Sequence, residues 1–187
     1  MNNRTLRLRQ ATLDDVPFVA WVIVTAIGIE HPAQELLDSV TEMCHREDVL
    51  YSWRNTVIAE MDGRVVGGLT QYDGARYAEM RAITFPLIEQ ACGIDYSDMD
   101  LETSSGEYYL DSMAVLPEYR GQGIATALLN DGIVRAQNAN IPSVSMIVSP
   151  ENPKAQQLYE SLGFQYIRTI NAFHEAYRKM GKGLYDY

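Results

Sequence analysis

One stretch of the chain combines residue types and spacing that could do chemistry: Tyr108 to Ala127, YYLDSMAVLPEYRGQGIATA. An apolar strand leads through Pro117 into an Arg-Gly-Gln-Gly loop and then into a run of good helix formers. A helix that starts this way has a first turn almost bare of side chains. Its unpaired backbone N–H groups and the positive end of its dipole are left exposed, and Gly121 and Gly123 let a bulky anion come close. The spacing predicts a cradle for a pyrophosphate.

Three kinds of nucleotide site use such a loop. A P-loop needs Gly-x-x-x-x-Gly-Lys-Ser/Thr, and the chain has no such run. A dinucleotide fingerprint needs Gly or Ala at its sixth position and an acid about twenty residues on. Gly121-Gln-Gly-Ile-Ala-Thr126 supplies neither cleanly, and the loop begins several residues after the strand. The third kind fits. Arg120-Gly-Gln-Gly-Ile-Ala125, preceded by Ala114-Val115-x-Pro117-x-Tyr119, resembles the Arg/Gln-x-x-Gly-x-Gly/Ala signature of the GNAT superfamily of N-acetyltransferases. A second family motif follows at the expected distance, Asn152-x-x-Ala155-x-x-Leu158-Tyr159-Glu160-x-x-Gly163-Phe164, and Arg9-x-Ala11-Thr12-x-x-Asp15 is similar to the family's opening. The resemblance spans all but residues 74–106.

The resemblance implies an α/β fold: a mixed, largely antiparallel sheet with splayed central strands and helices on both faces. It also implies acetyl-CoA as the acyl donor. Backbone amides of Gly121, Gln122, Gly123, Ile124, Ala125 and Thr126 would hold the pyrophosphate, with Arg120 adding charge or bracing the loop. The pantetheine arm would insert where the strand ending at Val115 splays from Ser143 to Val148, hydrogen-bonding main chain around Met113, Ala114 and Val115. An N–H there would polarise the thioester carbonyl. Asn152 and Ala155 would face CoA, Asn152 alone being equally consistent with a turn before Pro153. Tyr159 matches the family tyrosine that reprotonates the departing thiolate.

Acyl transfer to an amine also needs a proton acceptor, because an amine of pKa near 10 arrives protonated. A two-residue period puts Tyr109, Asp111, Met113 and Val115 on one strand face, which in the family looks onto the acetyl group. Asp111 is therefore the first candidate base and Glu107 the second. Asp111 is equally readable as a structural carboxylate. Family members often carry the base where this chain has Tyr109.

Other elements must position these groups. With 187 residues, 47% of them hydrophobic, and no linker-like tract, a single domain is expected. Thr5 to Arg9 alternates as a strand, and Thr12 with Asp15 opens a first helix in the manner of a capping box. The apolar run Val16 to Ile29 follows basic residues but is interrupted from them by Asp14 and Asp15. It is too short to span a bilayer and lacks a cleavage pattern, so a buried helix and a cytoplasmic protein are expected. A second helix spans about Ala33 to His45. Two β-rich runs around Asp62-Gly63 read as a hairpin, and Gly67 and Gly68 as a bulge or close approach. Ala75 to Thr84 reads helical, with Pro86 interrupting or restarting it, and Asp95 to Gly106 as an acidic loop.

After the glycine loop, Ile124 to Asn138 reads as a helix with Leu128, Leu129, Ile133 and Val134 on one face. Ser143 to Val148 reads as a strand and Pro153 to Ser161 as a helix, and two closing strands follow, Phe164 to Thr169 and Ala176 to Lys182. Cys44 and Cys92 have no metal or disulfide spacing and read as buried apolar residues, and His31, His45 and His174 show no metal pattern. No metal is expected.

Lysine and arginine total 15 against 25 acids, a formal charge of -10. That disfavours nucleic acid and anionic membrane as partners and favours a cationic one. The segment from Ala82 through Tyr119 has no lysine or arginine, and its acids read either as a solvated loop or as a wall that attracts an amine. The expected function is acetyl transfer from acetyl-CoA directly to a primary amine of a small molecule or peptide. The alternative is a CoA-binding sensor of the same fold that lost the chemistry. Homodimerisation, frequent in the family, is left open.

Overall fold

The Asp62-Gly63 turn shows how local sequence sets the sheet. In the computed structural model, which describes residues 5–29 and 31–185, both turn residues have positive φ, 53° and 81°. This is the twist that a two-residue hairpin needs. The turn joins β2 (Thr56–Met61) to β3 (Arg64–Asp73), and β1 (Leu6–Gln10) pairs along the other edge of β2. Then come β4 (Glu107–Val115), β5 (Ser143–Val148), β6 (Gln165–Ala172) and β7 (Glu175–Gly183). They form one sheet in the order β1-β2-β3-β4-β5-β7-β6, antiparallel at every joint except β4–β5. The mixed, mostly antiparallel sheet agrees with expectation.

Each face of the sheet buries its own helices. Helices α1 (Val16–Ala26), α2 (Gln34–Cys44) and α3 (Tyr77–Cys92) cover one face, packing Val19, Ile23, Met43 and Met80 with Ile58, Tyr72 and Tyr109. Helices α4 (Ile124–Asn138) and α5 (Pro153–Ser161) cover the other, where Leu128, Leu129 and Leu158 meet Leu69, Leu110 and Val115. The run from Val16 is thus a buried helix. Arg9 reaches Asp15 with two hydrogen bonds of 2.6 and 2.8 Å, and Asp15 accepts from the Thr12 N–H at 2.7 Å, so the opening motif ties β1 to the start of α1. Among the described residues no helix is long and apolar enough to cross a membrane.

Three expectations are corrected. Pro86 does not interrupt α3, which runs through it. The carbonyl its ring deprives of a partner belongs to Ala82, and both residues are exposed, so water can take the lost bond. Val134 lies on the solvent side of α4, 51% exposed, outside the apolar stripe. Cys92 is exposed at the end of α3, whereas Cys44 is buried as expected, its thiol pushed up to about 12 by desolvation.

Candidate active site

The parallel joint of β4 with β5 is incomplete. Only Glu107, Tyr108 and Tyr109 pair with Ser143, Val144 and Ser145, and beyond them the two strands separate. The splay starts just above an ion pair that ties its base. Lys179 of β7, 4% exposed, donates to both Glu107 carboxylate oxygens at 2.8 and 2.7 Å, and Glu107 also accepts from Ser145 and Thr103 at 2.8 and 2.9 Å. Burial works against the Glu107 carboxylate, but these partners together hold its carboxyl below the usual range. The second candidate base is therefore fully engaged as a strut.

A bulge in β4 overturns the expected strand face. Leu69 of β3 pairs with Met113 and Gln71 with Leu110, so Thr70 alone stands opposite Asp111 and Ser112. The extra residue reverses the alternation. Tyr109 packs with Tyr72 on the α1 face, while Met113 and Val115 lie with Leu110 on the α4 face. Tyr109, Asp111, Met113 and Val115 therefore do not share one face. The splay still brings Tyr109, Asp111 and Met113 to a single cavity of about 160 Å³, together with Ser112, Asn152, Ala155 and Tyr159.

Asp111 accepts from the Tyr72 hydroxyl at 2.5 Å and from the Ser112 hydroxyl at 2.9 Å. Beside it on the cavity wall is Glu102, buried, accepting from Tyr77 at 2.9 Å and Tyr109 at 2.6 Å. The rings of Tyr72, Tyr77 and Tyr109 lie 5.8 to 6.5 Å apart around the two carboxylates. Desolvation raises the carboxyl of Asp111 to about 7, with the charge of Glu102 adding to it. Glu102 is raised by burial as well, against the pull of its two tyrosine donors. Two like charges confined together disfavour double ionisation, so the pair holds a proton near neutrality.

Sequence reasoning grouped Glu102 with the other acids of its loop, as solvated charge or as a wall that attracts an amine, and did not single it out. It sits among Asp95, Asp98 and Asp100 in an acidic loop, and no local signal separates it from those exposed neighbours. Only the fold of the loop across β4, with Met99, Glu102 and Thr103 turned inward, marks it out.

On the opposite wall, Tyr159 of α5 lies one turn beyond Ala155, so both face the cavity. Burial pushes its hydroxyl up to about 12, which keeps the proton on oxygen at neutral pH. Among the described residues that hydroxyl has no hydrogen-bond partner. Asn152 is a helix cap: its Oδ1 accepts from the Ala155 N–H at 3.1 Å, while its amide nitrogen is left for other partners.

The glycine loop stands at the far end of the splay. Gly121 and Gly123 have φ of 73° and 79°, a conformation costly for other residues, and Gly123 is the N-cap of α4 without any side-chain cap. The first intrahelical bond is Ala127 N–H to the Gly123 carbonyl at 3.0 Å, so the N–H groups of Ile124, Ala125 and Thr126 have no partner within the helix. They border a depression of about 280 Å³ lined by Val115, Arg120, Gly121 and Gly123. Arg120 donates from Nε to the Val115 carbonyl at 3.0 Å, which makes it a brace between loop and strand. The Gln122 amide donates to the Glu118 carbonyl at 3.3 Å. Ala114 is paired with Gly68 inside the sheet, its carbonyl close to Gly67. Among the described residues no group of three potential ligands could hold a metal.

Known proteins resemble this chain in sequence and in fold. The chain is 26% identical over 170 residues to an N-alpha-acetyltransferase of Sulfurisphaera tokodaii, a match covering 90% of this chain and 85% of that protein. It is 41% identical over 59 residues to a mycothiol acetyltransferase of Nocardiopsis dassonvillei, covering 32% of this chain but only 17% of that protein's length. An N-acetyltransferase structure from Staphylococcus aureus Mu50 superposes with a TM-score of 0.77 at 22% identity, over 94% of this chain and 100% of that one. Residues 29–164 match the model of the acetyltransferase (GNAT) family, and with the splayed strands and glycine-capped helix in place the chain belongs to that family.

Proposed function

We propose that the protein transfers an acetyl group from acetyl-CoA directly to a primary amine, with Asp111 as proton acceptor and Tyr159 as proton donor. The family uses acetyl-CoA, and the residues present suit it. The free N–H groups at the start of α4 match a pyrophosphate, and the splay leaves strand edges for an extended pantetheine arm. The single observation that supports the acid–base roles is the cavity between β4 and β5. It places an elevated carboxyl on one wall and a protonated tyrosine on the other.

The reaction then balances within the site. Asp111 takes a proton from the ammonium, freeing the nitrogen lone pair. That lone pair attacks the thioester carbonyl carbon, and the tetrahedral intermediate collapses with cleavage of the C–S bond. The thiolate sulfur receives the Tyr159 proton. The phenolate is restored by the second nitrogen proton, lost from the tetrahedral intermediate as the amide forms, and Asp111 returns its proton to solvent.

The elevated carboxyl matters energetically. An amine of pKa near 10 and an acceptor near 7 differ by about three units, so the transfer costs about 4 kcal/mol. With an ordinary aspartate it would cost about 8 kcal/mol, half of the roughly 16 kcal/mol barrier that corresponds to a turnover of about 10 per second.

Mixing the protein with acetyl-CoA and a panel of amines while measuring free thiol tests the proposal. Thiol release that depends on amine supports it. CoA binding with no amine-dependent release would instead identify a CoA sensor.

A further inference from the structure

Beside the reaction cavity lies a second chamber of about 330 Å³, within the size range of small-ligand sites. Its wall is built from Ile23 of α1, Val40 of α2, Ile88 and Ala91 of α3, and Tyr96 of the acidic loop. Ile27, Phe173 and Tyr177 line both this chamber and the reaction cavity, so the two are adjoining compartments. Their chemistry differs. The reaction cavity carries Glu102 and Asp111, whereas the only charged residue on the chamber wall is Glu175, and neither is lined by lysine or arginine among the described residues.

The partition between them is held in a costly shape. Phe173 and His174 form the β6–β7 turn with φ of 53° and 60°, a region that a bulky residue such as phenylalanine rarely adopts. The turn aims the Phe173 ring at Tyr96 and Tyr177, at centroid distances of 5.4 and 5.8 Å. A loop, a strained turn and three helices thus converge on one apolar space next to two carboxylates.

We infer that the acceptor is a hydrophobic primary amine without a free carboxylate, its ammonium at Asp111 and Glu102 and its aromatic or branched aliphatic body in the chamber. This rests on the acetyl-transfer reading above. Two observations select the class. An apolar body gains by leaving water for the chamber, which a polyamine or aminoglycoside could not do without burying unpaired polar groups. A free amino acid would bring a carboxylate against Glu102 and Asp111 in a cavity that no described lysine or arginine lines, a costly burial. The same chemistry occurs in a free arylalkylamine and at the amino terminus of a peptide that begins with a large apolar residue.

The experiment compares phenethylamine, phenylalanine, phenylalaninamide, a peptide beginning with Phe, ethylamine and spermidine, by turnover and by calorimetric binding to the protein saturated with CoA. Phenethylamine should exceed ethylamine in kcat/KM and affinity by roughly 10- to 100-fold, the ratio expected for burying one phenyl group. Phenylalaninamide should exceed phenylalanine by at least about tenfold. A preference for the Phe peptide over phenethylamine assigns the natural source to polypeptide termini, and the reverse to a free amine. Ala91→Phe, which narrows the chamber, and Cys92→Trp at an exposed position on its border should each lower the ratio of phenethylamine to ethylamine turnover at least about tenfold while leaving CoA affinity unchanged. Equal use of all amines, a preference for spermidine, or variants that depress every amine alike would overturn the inference. Selective binding of phenethylamine without turnover by any amine would uphold the inferred site and overturn acetyl transfer instead.

Discussion

Asp111 and Tyr159 are distinguished by environment rather than by residue type. The Asp111 carboxyl is enclosed among Tyr72, Ser112 and the second acid Glu102, and desolvation is the largest cause of its rise to about 7. The rate of acetyl transfer should therefore climb as pH passes through about 7 and flatten above it. In Asp111→Asn, which keeps an acceptor for Tyr72, turnover should fall about 10²- to 10⁴-fold, the usual contribution of a general base, and that ascending limb should disappear. A pH profile of kcat/KM checks both. The same group affects stability with a definite sign. Because its folded pKa is raised, the folded state holds a proton that the unfolded chain has released between about 4 and 7, so stability falls as pH rises through that window. Asp111→Asn should lose less thermal stability between pH 5 and pH 8 than the parent, measured as the change in Tm. Tyr159→Phe keeps the ring contact with Phe164, 6.3 Å between centroids, and removes only the proton donor. Its turnover should drop about 10²-fold with CoA affinity unchanged; an unaltered kcat would exclude Tyr159 as the acid.

At the scale of elements, the site exists because two strands that start paired do not stay paired. The Lys179–Glu107 bridge joins β7 to β4 at the base of the splay, with Ser145 bringing β5 into the same cluster. Glu107 is about a fifth exposed, so part of the interaction is screened, but Lys179 is not. Replacing Lys179 by Met leaves the glutamate without its cation and should cost about 3 kcal/mol in chemical denaturation. A loss below about 0.5 kcal/mol would show that the strands are held without it. The bulge at Asp111 and Ser112 is the other decisive device. By adding one residue it turns Asp111 toward Tyr72 while leaving Met113 with Leu69 on the α4 face. A regular strand could not present groups from both faces to one cavity.

Over the whole molecule, the formal charge of -10 would act with opposite sign on the two substrates of the proposed reaction. An ammonium is drawn toward the protein and the phosphates of CoA are repelled, leaving short-range N–H groups at α4 to capture the latter. Raising ionic strength from about 10 mM to about 0.3 M shortens the screening length from about 30 Å to under 8 Å. The KM for a primary amine should then rise, while that for acetyl-CoA should fall or hold steady. Steady-state kinetics across a salt series at fixed pH measures both, and an amine KM indifferent to salt would mean that long-range steering has no part in acceptor capture.

The glycine loop, the second motif, the hairpin and the order of elements were legible in the sequence because each depends on local chemistry. Positive φ at Asp62 and Gly63, a helix stripped of its cap at Gly123, and a polar cap at Asn152 before Pro153 are decided within a few residues. Tertiary structure decided the rest. Glu102 and Glu107 look alike in the chain, yet one is caged by tyrosines beside Asp111 and the other is spent on Lys179. The bulge depends on the partner strand and is invisible in a two-residue period. The apolar chamber gathers residues from three helices, a loop and a turn that lie far apart in sequence. Burial, charge pairing and register are properties of neighbours in space, so the sequence alone determined the fold and the loop proposed to cradle the cofactor, and packing decided which acids line the cavity between β4 and β5.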